Sequence, residues 1–323
     1  MAVRLVRGPA AAPGAPPDQL PPARWTCAFV NNMPDGAFDA TERQYLDLLG
    51  AGSGCEVVEV SRYTMGGIPR GERTAARIGE QYLPFGTVTE RAPDLLIVTG
   101  SNPLARHIED EPYWDDLAGL LTWSRDEVPS VLLSCLSAHA ALAVFDGIER
   151  TTLDAKCTGV FPQRARPHRL ARGLGPQIVL PHSRLNAVAV DHVLSAGYRV
   201  ALESDAVGWS VITKATTGSE VVLVQGHPEY DPSSLLREYH RDARRYVLGE
   251  RDDLPCLPLD CVGPDDWEQL RALHDRIVGG ERDPALVESF PFEEMGARAD
   301  WPWRDTAIGL YTNWMAGVTT RSR

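Results

Sequence analysis

Short apolar runs recur between residues 25 and 226, and each is bounded by Gly, Pro, Asn or Asp. Runs that are apolar at nearly every position are typical of strands covered on both faces, as in a parallel sheet. We therefore predict a mainly parallel sheet. Its strands are expected in WTCAFVN (25–31), CEVVEV (55–60), DLLIVTG (94–100), VPSVLLS (128–134), GWSVIT (208–213) and VVLVQG (221–226).

Segments with the spacing of amphipathic helices lie between these runs. The alternation of strands and helices predicts a doubly wound α/β fold, which places its chemistry at the carboxyl ends of the strands. A further helix is expected from about Asp265 to Gly279, in a C-terminal elaboration of the same domain. The other predicted helices are TERQYLDLLGAG (41–52), EPYWDDLAGLLTWSRD (111–126), LSAHAALAVFDGI (136–148) and PSSLLREYHRDARRYV (232–247).

The two ends of the chain differ in character. Residues 1–22 are rich in Ala, Pro and Gly with little bulky apolar content, which predicts a disordered arm. The rest, residues 23–323, is expected to form one α/β domain. A chain of 323 residues that is 43% apolar is long enough to bury a large core.

Charge and cysteine spacing restrict the class of protein. A net charge of −12 argues against nucleic acid or an anionic membrane as the main partner. The six cysteines are scattered without the spacing of a zinc site, so no metal is expected. We recognise neither a secretory signal nor an apolar run long enough to span a membrane. We expect a reduced, cytoplasmic enzyme that acts on small molecules.

Cys135 lies between the buried run that ends at Ser134 and the helix predicted from Leu136. This strand–turn–helix arrangement is typical of a nucleophile in α/β enzymes. The N–H groups and the dipole at a helix N-terminus favour a thiolate, and the same N–H groups can hold an oxyanion. A buried structural cysteine is the other interpretation, and position alone does not separate the two.

His227 and Glu229 follow the strand VVLVQG directly. Side chains two residues apart on extended backbone point the same way, so Glu229 can orient the imidazole. With Cys135 they make a set of nucleophile, base and orienting acid, each at the end of a strand. Taken alone, HPE also fits a loop with a surface glutamate.

Several longer stretches resemble one family. They are NNMP with TERQYLDLLG, LLIVTG with EPYWDDL, the Cys135 turn, LPHSRLNAV, GHPEYDPSSLLREYHRD and LYTNWM. Together they make the chain similar to the homoserine O-acyltransferases of the O-succinyltransferase type. That family has a flavodoxin-like fold of the class I glutamine amidotransferase type. The resemblance extends from about Asn31 to Met315.

The resemblance implies a role for each member of the catalytic set. Cys135 carries the acyl group as a thioester, His227 is the general base and Glu229 orients it. Backbone N–H groups at Leu136 and Gly100 are expected to stabilise the oxyanion.

The same resemblance implies an acceptor site. Lys156 in DAKCTGVF and Ser183 in PHSR match a substrate-contacting lysine and serine of the family. Arg241 in EYHRD matches the arginine that holds the carboxylate of the amino acid, a task suited to a guanidinium. Glu238 lies three residues before Arg241, on the same helix face, and is expected at this site too. Lys156 and Arg241 also fit solvated surface residues, and Ser183 fits a loop serine bonding its own backbone.

The implied reaction is ping-pong transfer from an acyl-CoA, with no bound cofactor and with acetyl-CoA and succinyl-CoA both open as co-substrate. The acceptor is homoserine, as in methionine biosynthesis, or a close hydroxy amino acid such as serine. The family also implies a homodimer.

The chain departs from the family pattern at two places. A family lysine after MP is replaced by Asp35 and Gly36, and Arg43 or Arg106 is a candidate to compensate. Leu104 stands at the position where the identity of the residue varies within the family with the acyl donor, acetyl or succinyl. Leucine fills space there, which argues mildly against a long acyl group.

Two other functions stay open. One is a glutaminase-like amidotransferase with the same catalytic set, which leaves PHSR and EYHRD unexplained. The other is a silent relative that binds an amino acid or a protein, which the lost lysine favours. His139, four residues after Cys135, is expected to be packed in its helix rather than to act on the sulfur.

Overall fold

The computed structural model describes residues 3–6, 8 and 21–318, and the element bounds below refer to those residues. The strands are β1 (Val3–Leu5), β2 (Trp25–Val30), β3 (Val58–Tyr63), β4 (Leu95–Val98), β5 (Ser130–Ser134), β6 (Thr151–Ala165), β7 (Ile178–Ala187), β8 (Arg199–Ser204), β9 (Gly208–Ala215) and β10 (Glu220–Val224). The helices are α1 (Asp35–Gly52), α2 (Glu72–Gln81), α3 (Trp114–Glu127), α4 (Leu136–Asp146), α5 (Val190–Ser195), α6 (Ser234–Val247), α7 (Pro264–Val278), α8 (Pro284–Glu288), α9 (Phe292–Arg298) and α10 (Arg304–Ala316).

The strands form one ten-stranded sheet in the order β1-β3-β2-β4-β5-β10-β9-β8-β6-β7. From β1 to β10 every neighbouring pair is parallel. Beyond β10 the pairs are antiparallel, so β9, β8, β6 and β7 extend the sheet as a wing. The α/β class and the parallel centre of the sheet agree with the prediction.

Two hydrophobic cores cover the two faces of the sheet. In β2, Cys27 and Phe29 belong to one core, and Ala28 and Val30 belong to the other. Successive strand residues point to opposite faces, so a strand between two cores must be apolar at every position. This packing explains the continuous apolar runs.

The helices predicted from spacing are present, with shifted ends. Helix α1 begins at Asp35, six residues before the predicted start at Thr41, because Pro34 precedes the helix and Asp35 places an acid in its first turn. Helix α7 covers Pro264–Val278, close to the predicted range.

The antiparallel wing contains strands that the pattern did not predict. In β6, all six positions from Thr151 to Lys156 are exposed or half-buried. A strand of this kind has no apolar run to mark it, because backbone pairing rather than burial keeps it extended: Thr151 and Thr152 pair with β7, and after a shift in register the pairing resumes at Cys157.

The N-terminal arm is ordered in part. Val3, Arg4 and Leu5 pair in parallel with residues 58–60 of β3, and Val3 packs against the core. The expectation of disorder was therefore wrong for Val3–Leu5, where backbone pairing to β3 and the contact of Val3 with the core hold the segment in place. Residues 9–20 of the predicted arm lie outside the described residues.

The C-terminal helices pack onto the sheet. Gly52 at the end of α1 lies so close to α10 that a Cβ there would be 2.7 Å from Cβ of Tyr311. The indole N–H groups of Trp301 and Trp303 both donate to the Tyr230 carbonyl, at 3.1 and 2.8 Å. The tail is thus bonded to the loop after β10. No helix among the described residues is long and apolar enough to cross a membrane.

Candidate active site

Cys135 occupies a tight turn between β5 and α4. Its φ of 50° and ψ of −108° are unusual for a residue with a side chain. Its N–H donates to the Val224 carbonyl at 2.7 Å, which joins the end of β5 to the end of β10. A strained conformation of this kind is found at functional sites when the surrounding structure enforces it. The turn therefore presents the thiol at the carboxyl edge of the sheet.

Gly100 lies directly against this turn. A Cβ at Gly100 would be 3.2 Å from Cβ of Cys135 and 3.6 Å from the Leu136 nitrogen. The loop is fixed by Ser137, whose hydroxyl donates to the Thr99 carbonyl at 2.5 Å. Gly100 and Leu136 thus flank Cys135 at the positions expected from the sequence.

His227 and Glu229 form a buried pair at the end of β10, with Nδ1 and Oε1 2.8 Å apart. Burial disfavours the imidazolium, but the Glu229 carboxylate and the adjacent Cys135 hold the pKa of His227 well above its ordinary value. The buried Nε2 has no hydrogen-bond partner within the described part of the chain. Glu229 thus fixes one ring nitrogen and leaves the other available for proton transfer.

Tyr230 connects this pair to a second group of residues. Its ring stacks on His227 with centroids 4.3 Å apart at an interplanar angle of 23°. Its hydroxyl donates to Oε1 of Glu238. Sequence reasoning missed Tyr230, although its place directly after HPE was a signal.

Glu238 gathers the predicted acceptor residues. Lys156 Nζ donates to its Oε2 at 2.9 Å, and the Ser183 hydroxyl donates to the same oxygen. Burial opposes ionisation of Glu238, yet Lys156, with the hydrogen bonds from Ser183 and Tyr230, lowers its pKa to about 2. The carboxylate is therefore charged. Lys156, Ser183 and Glu238, predicted from separate motifs, meet in one cluster.

Asp242 is a further member of this cluster that sequence reasoning missed. It lies 3.1 Å from Lys156 Nζ and accepts from Arg241 Nε at 2.9 Å. Arg241 Nη2 also lies 2.8 Å from Asp242, and 40% of the Arg241 side chain is exposed. Arg241 thus joins the cluster through Asp242, with its other terminal nitrogen outside that ion pair.

Leu104 lies on a loop held by Glu111. The Leu104 N–H is 3.0 and 3.1 Å from the two carboxylate oxygens of Glu111, and the Ala105 N–H is 3.2 Å from one of them. The Leu104 side chain is 52% exposed. The prediction that this leucine fills space does not fit so exposed a side chain.

The basic group next to Asp35 comes from another segment. Arg70 Nη1 donates to the Met33 carbonyl at 2.5 Å and lies 3.4 Å from Asp35. Arg43 instead pairs with Asp231 at 3.1 Å. Sequence reasoning missed Arg70 because the loop before α2 carries no motif that relates it to MP.

His139 is buried in α4. Its Nε2 is 3.0 Å from Oε1 of Gln225, and its ring packs edge-on against Trp209. Burial lowers its pKa to about 4, so the ring is neutral. This packing fits the expectation of a histidine held in its helix.

A comparison with solved structures agrees with this architecture. A glutamine amido transferase from Methylobacillus flagellatus superimposes with a TM-score of 0.50 at 15% sequence identity. The match covers 94% of this chain and 98% of that one. At this identity the likeness shows the fold alone, which is of the class I glutamine amidotransferase type.

Sequence comparisons identify the family. The family model for homoserine O-succinyltransferase matches residues 23–322. A homoserine O-succinyltransferase of Rhodopseudomonas palustris is 37% identical over 90% of this chain and 87% of its own length. Those of Methylorubrum extorquens (36%, covering 92% and 88%) and Bradyrhizobium japonicum (35%, covering 97% and 96%) are similar. The chain therefore belongs to the homoserine O-succinyltransferase family and is an O-acyltransferase.

Proposed function

We propose that the enzyme transfers a succinyl group from succinyl-CoA to the hydroxyl of homoserine through a thioester on Cys135. The observation that carries this proposal is the pairing of a strained Cys135 turn with His227, whose Nδ1 is fixed by Glu229 and whose Nε2 is unpaired among the described residues. Succinyl is chosen over acetyl because the similar relatives are named for succinyl transfer.

In the first half-reaction, His227 accepts the thiol proton of Cys135, and the sulfur attacks the thioester carbonyl. The tetrahedral intermediate collapses as its bond to the CoA sulfur breaks, and the proton on His227 passes to the departing CoA. Backbone N–H groups at Gly100 and Leu136, two residues that lie against the Cys135 turn, stabilise the negative oxygen. One succinyl group then remains on Cys135.

In the second half-reaction, homoserine replaces CoA. His227 removes the proton from the hydroxyl, the oxygen attacks the thioester carbonyl, and the bond to Cys135 breaks. The released thiolate recovers the proton from His227, which restores the enzyme. O-succinylhomoserine, the product, belongs to methionine biosynthesis.

The acceptor is held by the cluster around Glu238. The Glu238 carboxylate, charged because Lys156 lowers its pKa to about 2, attracts the ammonium group of the amino acid. Lys156 and the terminal nitrogen of Arg241 outside the Asp242 pair attract its carboxylate. Serine, one methylene shorter, places its hydroxyl less well for His227, so homoserine is the proposed acceptor.

A half-reaction assay tests the proposal. Succinyl-CoA alone should release about one equivalent of CoA per active site, and mass spectrometry should find the succinyl group on the peptide containing Cys135. Cys135→Ala should release none, while Cys55→Ala, at an exposed cysteine, should behave as the wild type. Glutamine hydrolysis without CoA release would replace this proposal with an amidotransferase. Absence of both reactions would point to a silent relative. The cytoplasmic location and the homodimer stay predictions.

A further inference from the structure

A cavity of about 390 Å³ lies between the loop after β4, helix α4 and the β6–β7 hairpin. Its wall includes His139 and Ala143 on α4, and Thr152 and Asn186 on the hairpin. His139 follows Cys135 by four residues, about one helical turn. The cavity wall therefore comes within about one helical turn of the nucleophile.

Arg150 in the wall of this cavity is half-buried. Its Nη2 donates only to the Arg106 carbonyl, at a long 3.5 Å, and it has no ion pair with any residue that the structure describes. Burial lowers the pKa of its guanidinium, and the charges of Glu111 and Cys135 oppose that shift, so both lie near enough to act on it. A half-buried cation without a paired anion is less stable than one with a partner, so the position favours an anionic ligand.

The other charged side chains around the cavity do not pair with Arg150. Glu109, Asp110 and Glu149 are carboxylates in its wall, but all are exposed, as are the cationic Arg106 and the imidazole of His107.

Glu111 is the buried acid whose charge acts most on Arg150. Its carboxylate already accepts hydrogen bonds from the N–H groups of Leu104 and Ala105. Arg184 is a second arginine whose pKa is affected by the charge of Cys135. Its guanidinium donates to the carbonyls of Asn186 and Val207 at 2.8 and 2.7 Å. Arg150, with its single long hydrogen bond, thus keeps donors for a ligand that Arg184 has already used.

We infer that Arg150 binds the free carboxylate of the donor's acyl group while the thioester carbonyl lies at Cys135. This inference rests on the proposed succinyl transfer, and it assigns to one residue the preference for a dicarboxylic acyl group. Two methylene groups separate the two ends of a succinyl group, so its carboxylate extends beyond the nucleophile into the adjoining cavity. A guanidinium holds such a carboxylate with two parallel hydrogen bonds.

The test compares succinyl-CoA with butyryl-CoA, which has the same chain length without the carboxylate. For Arg150→Gln, we expect kcat/KM for acylation of Cys135 by succinyl-CoA to fall about ten- to hundredfold, which is about 1.4–2.8 kcal/mol. Acylation by butyryl-CoA should change less than about twofold. Arg150→Lys should lose less, because it keeps the charge but not the paired geometry. The control Arg125→Gln removes one charge from α3 and should leave kcat/KM for acylation unchanged with both donors.

Equal losses with both donors would overturn the inference, because Arg150 would then bind a CoA phosphate or support the fold. An unchanged preference for succinyl-CoA would overturn it as well. These outcomes differ from failure of the proposed function, in which the wild type itself takes no succinyl group from succinyl-CoA.

A second measurement needs no turnover. Free succinate, but not butyrate, should slow alkylation of Cys135 by iodoacetamide in the wild type, and Arg150→Gln should remove that protection. Equal effects of the two acids on the wild type would contradict the inference.

Discussion

The protonation state of His227 controls the second half-reaction, because only the neutral imidazole accepts the proton of the hydroxyl. Cys135 is a thioester at this stage and bears no charge, but the Glu229 carboxylate still raises the pKa of His227 against the effect of burial, so transfer to homoserine should speed up as pH rises through that raised pKa. Glu229→Gln removes the charge and keeps the shape. We expect this pH profile to move to lower pH, with a maximal rate reduced about 10²–10⁴-fold.

The measurement is the rate of transfer from preformed acyl-enzyme to homoserine across a range of pH. Glu203→Gln is a matched control, because Glu203 is a buried carboxylate on β8 paired with Arg164 and Arg166. It should leave the profile in place. If Glu229→Gln also left the profile in place, Glu229 would not set the proton affinity of His227.

Tyr230 is the residue that couples the two halves of the site. Tyr230→Phe keeps the ring stacked on His227 but removes the hydrogen bond to Glu238. We expect the KM for homoserine to rise about tenfold, as for the loss of a hydrogen bond to a charged group, while acylation of Cys135 stays within about twofold. Steady-state and half-reaction kinetics measure the two effects separately.

Tyr311→Phe is the control for this substitution. The Tyr311 hydroxyl is buried and has no hydrogen-bond partner in the described part of the chain, so its removal breaks no such bond. A loss of acylation in Tyr230→Phe equal to its loss of homoserine affinity would show that Tyr230 only supports the position of His227.

At the scale of elements, the turn after β4 must approach the Cys135 turn without a side chain. In Gly100→Ala the new methyl group would lie 3.2 Å from Cβ of Cys135 and close to the Leu136 nitrogen. Such a contact forces the loop or the thiol to move, so we expect acylation to slow by about tenfold or more, because misplacing a reacting group by about 1 Å can cost about 10²-fold in rate.

Gly119→Ala is the counterpart within α3, where nothing lies within 4 Å of the added Cβ. It should raise the free energy of unfolding by about 0.5–1 kcal/mol through helix propensity and leave acylation unchanged. Thermal unfolding and CoA release measure both variants. Normal acylation by Gly100→Ala would mean that the two turns have room to separate.

The elements that could be predicted from the sequence are those that are buried and therefore consist of continuous apolar runs. Strand β5, the Cys135 turn and helix α4 were predictable because an apolar run, a small-residue turn and a second apolar segment follow one another. Strand β6 was not, because its outer residues are polar and its partner β7 determines its conformation.

The same difference applies within the candidate site. His227 and Glu229 are only two residues apart in the sequence, so the contact between their side chains could be predicted. Lys156 and Asp242 are 86 residues apart, and only the fold brings them together. Arg70 next to Asp35 is a contact of the same kind.

At the scale of the whole molecule, the C-terminal tail supports the site through the Tyr230 carbonyl. Both Trp301 and Trp303 donate to this oxygen, and the double substitution Trp301→Phe with Trp303→Phe removes both donors while keeping aromatic rings. It leaves a carbonyl without partners, so we expect the free energy of unfolding to fall by about 1–3 kcal/mol. Because the peptide that carries Tyr230 is then less fixed, the KM for homoserine should rise as well.

Trp314→Phe separates stability from function. Trp314 is buried on α10 and donates at 2.7 Å to Ser130, at the opposite end of β5 from Cys135. We expect a loss of stability of the same order, about 1 kcal/mol or more, with unchanged KM. Denaturant unfolding gives the free energy of unfolding of each variant, and steady-state kinetics on the same preparations give its KM for homoserine. If the double variant and Trp314→Phe lost stability alike and neither changed the KM for homoserine, the tail would stabilise the fold without positioning Tyr230.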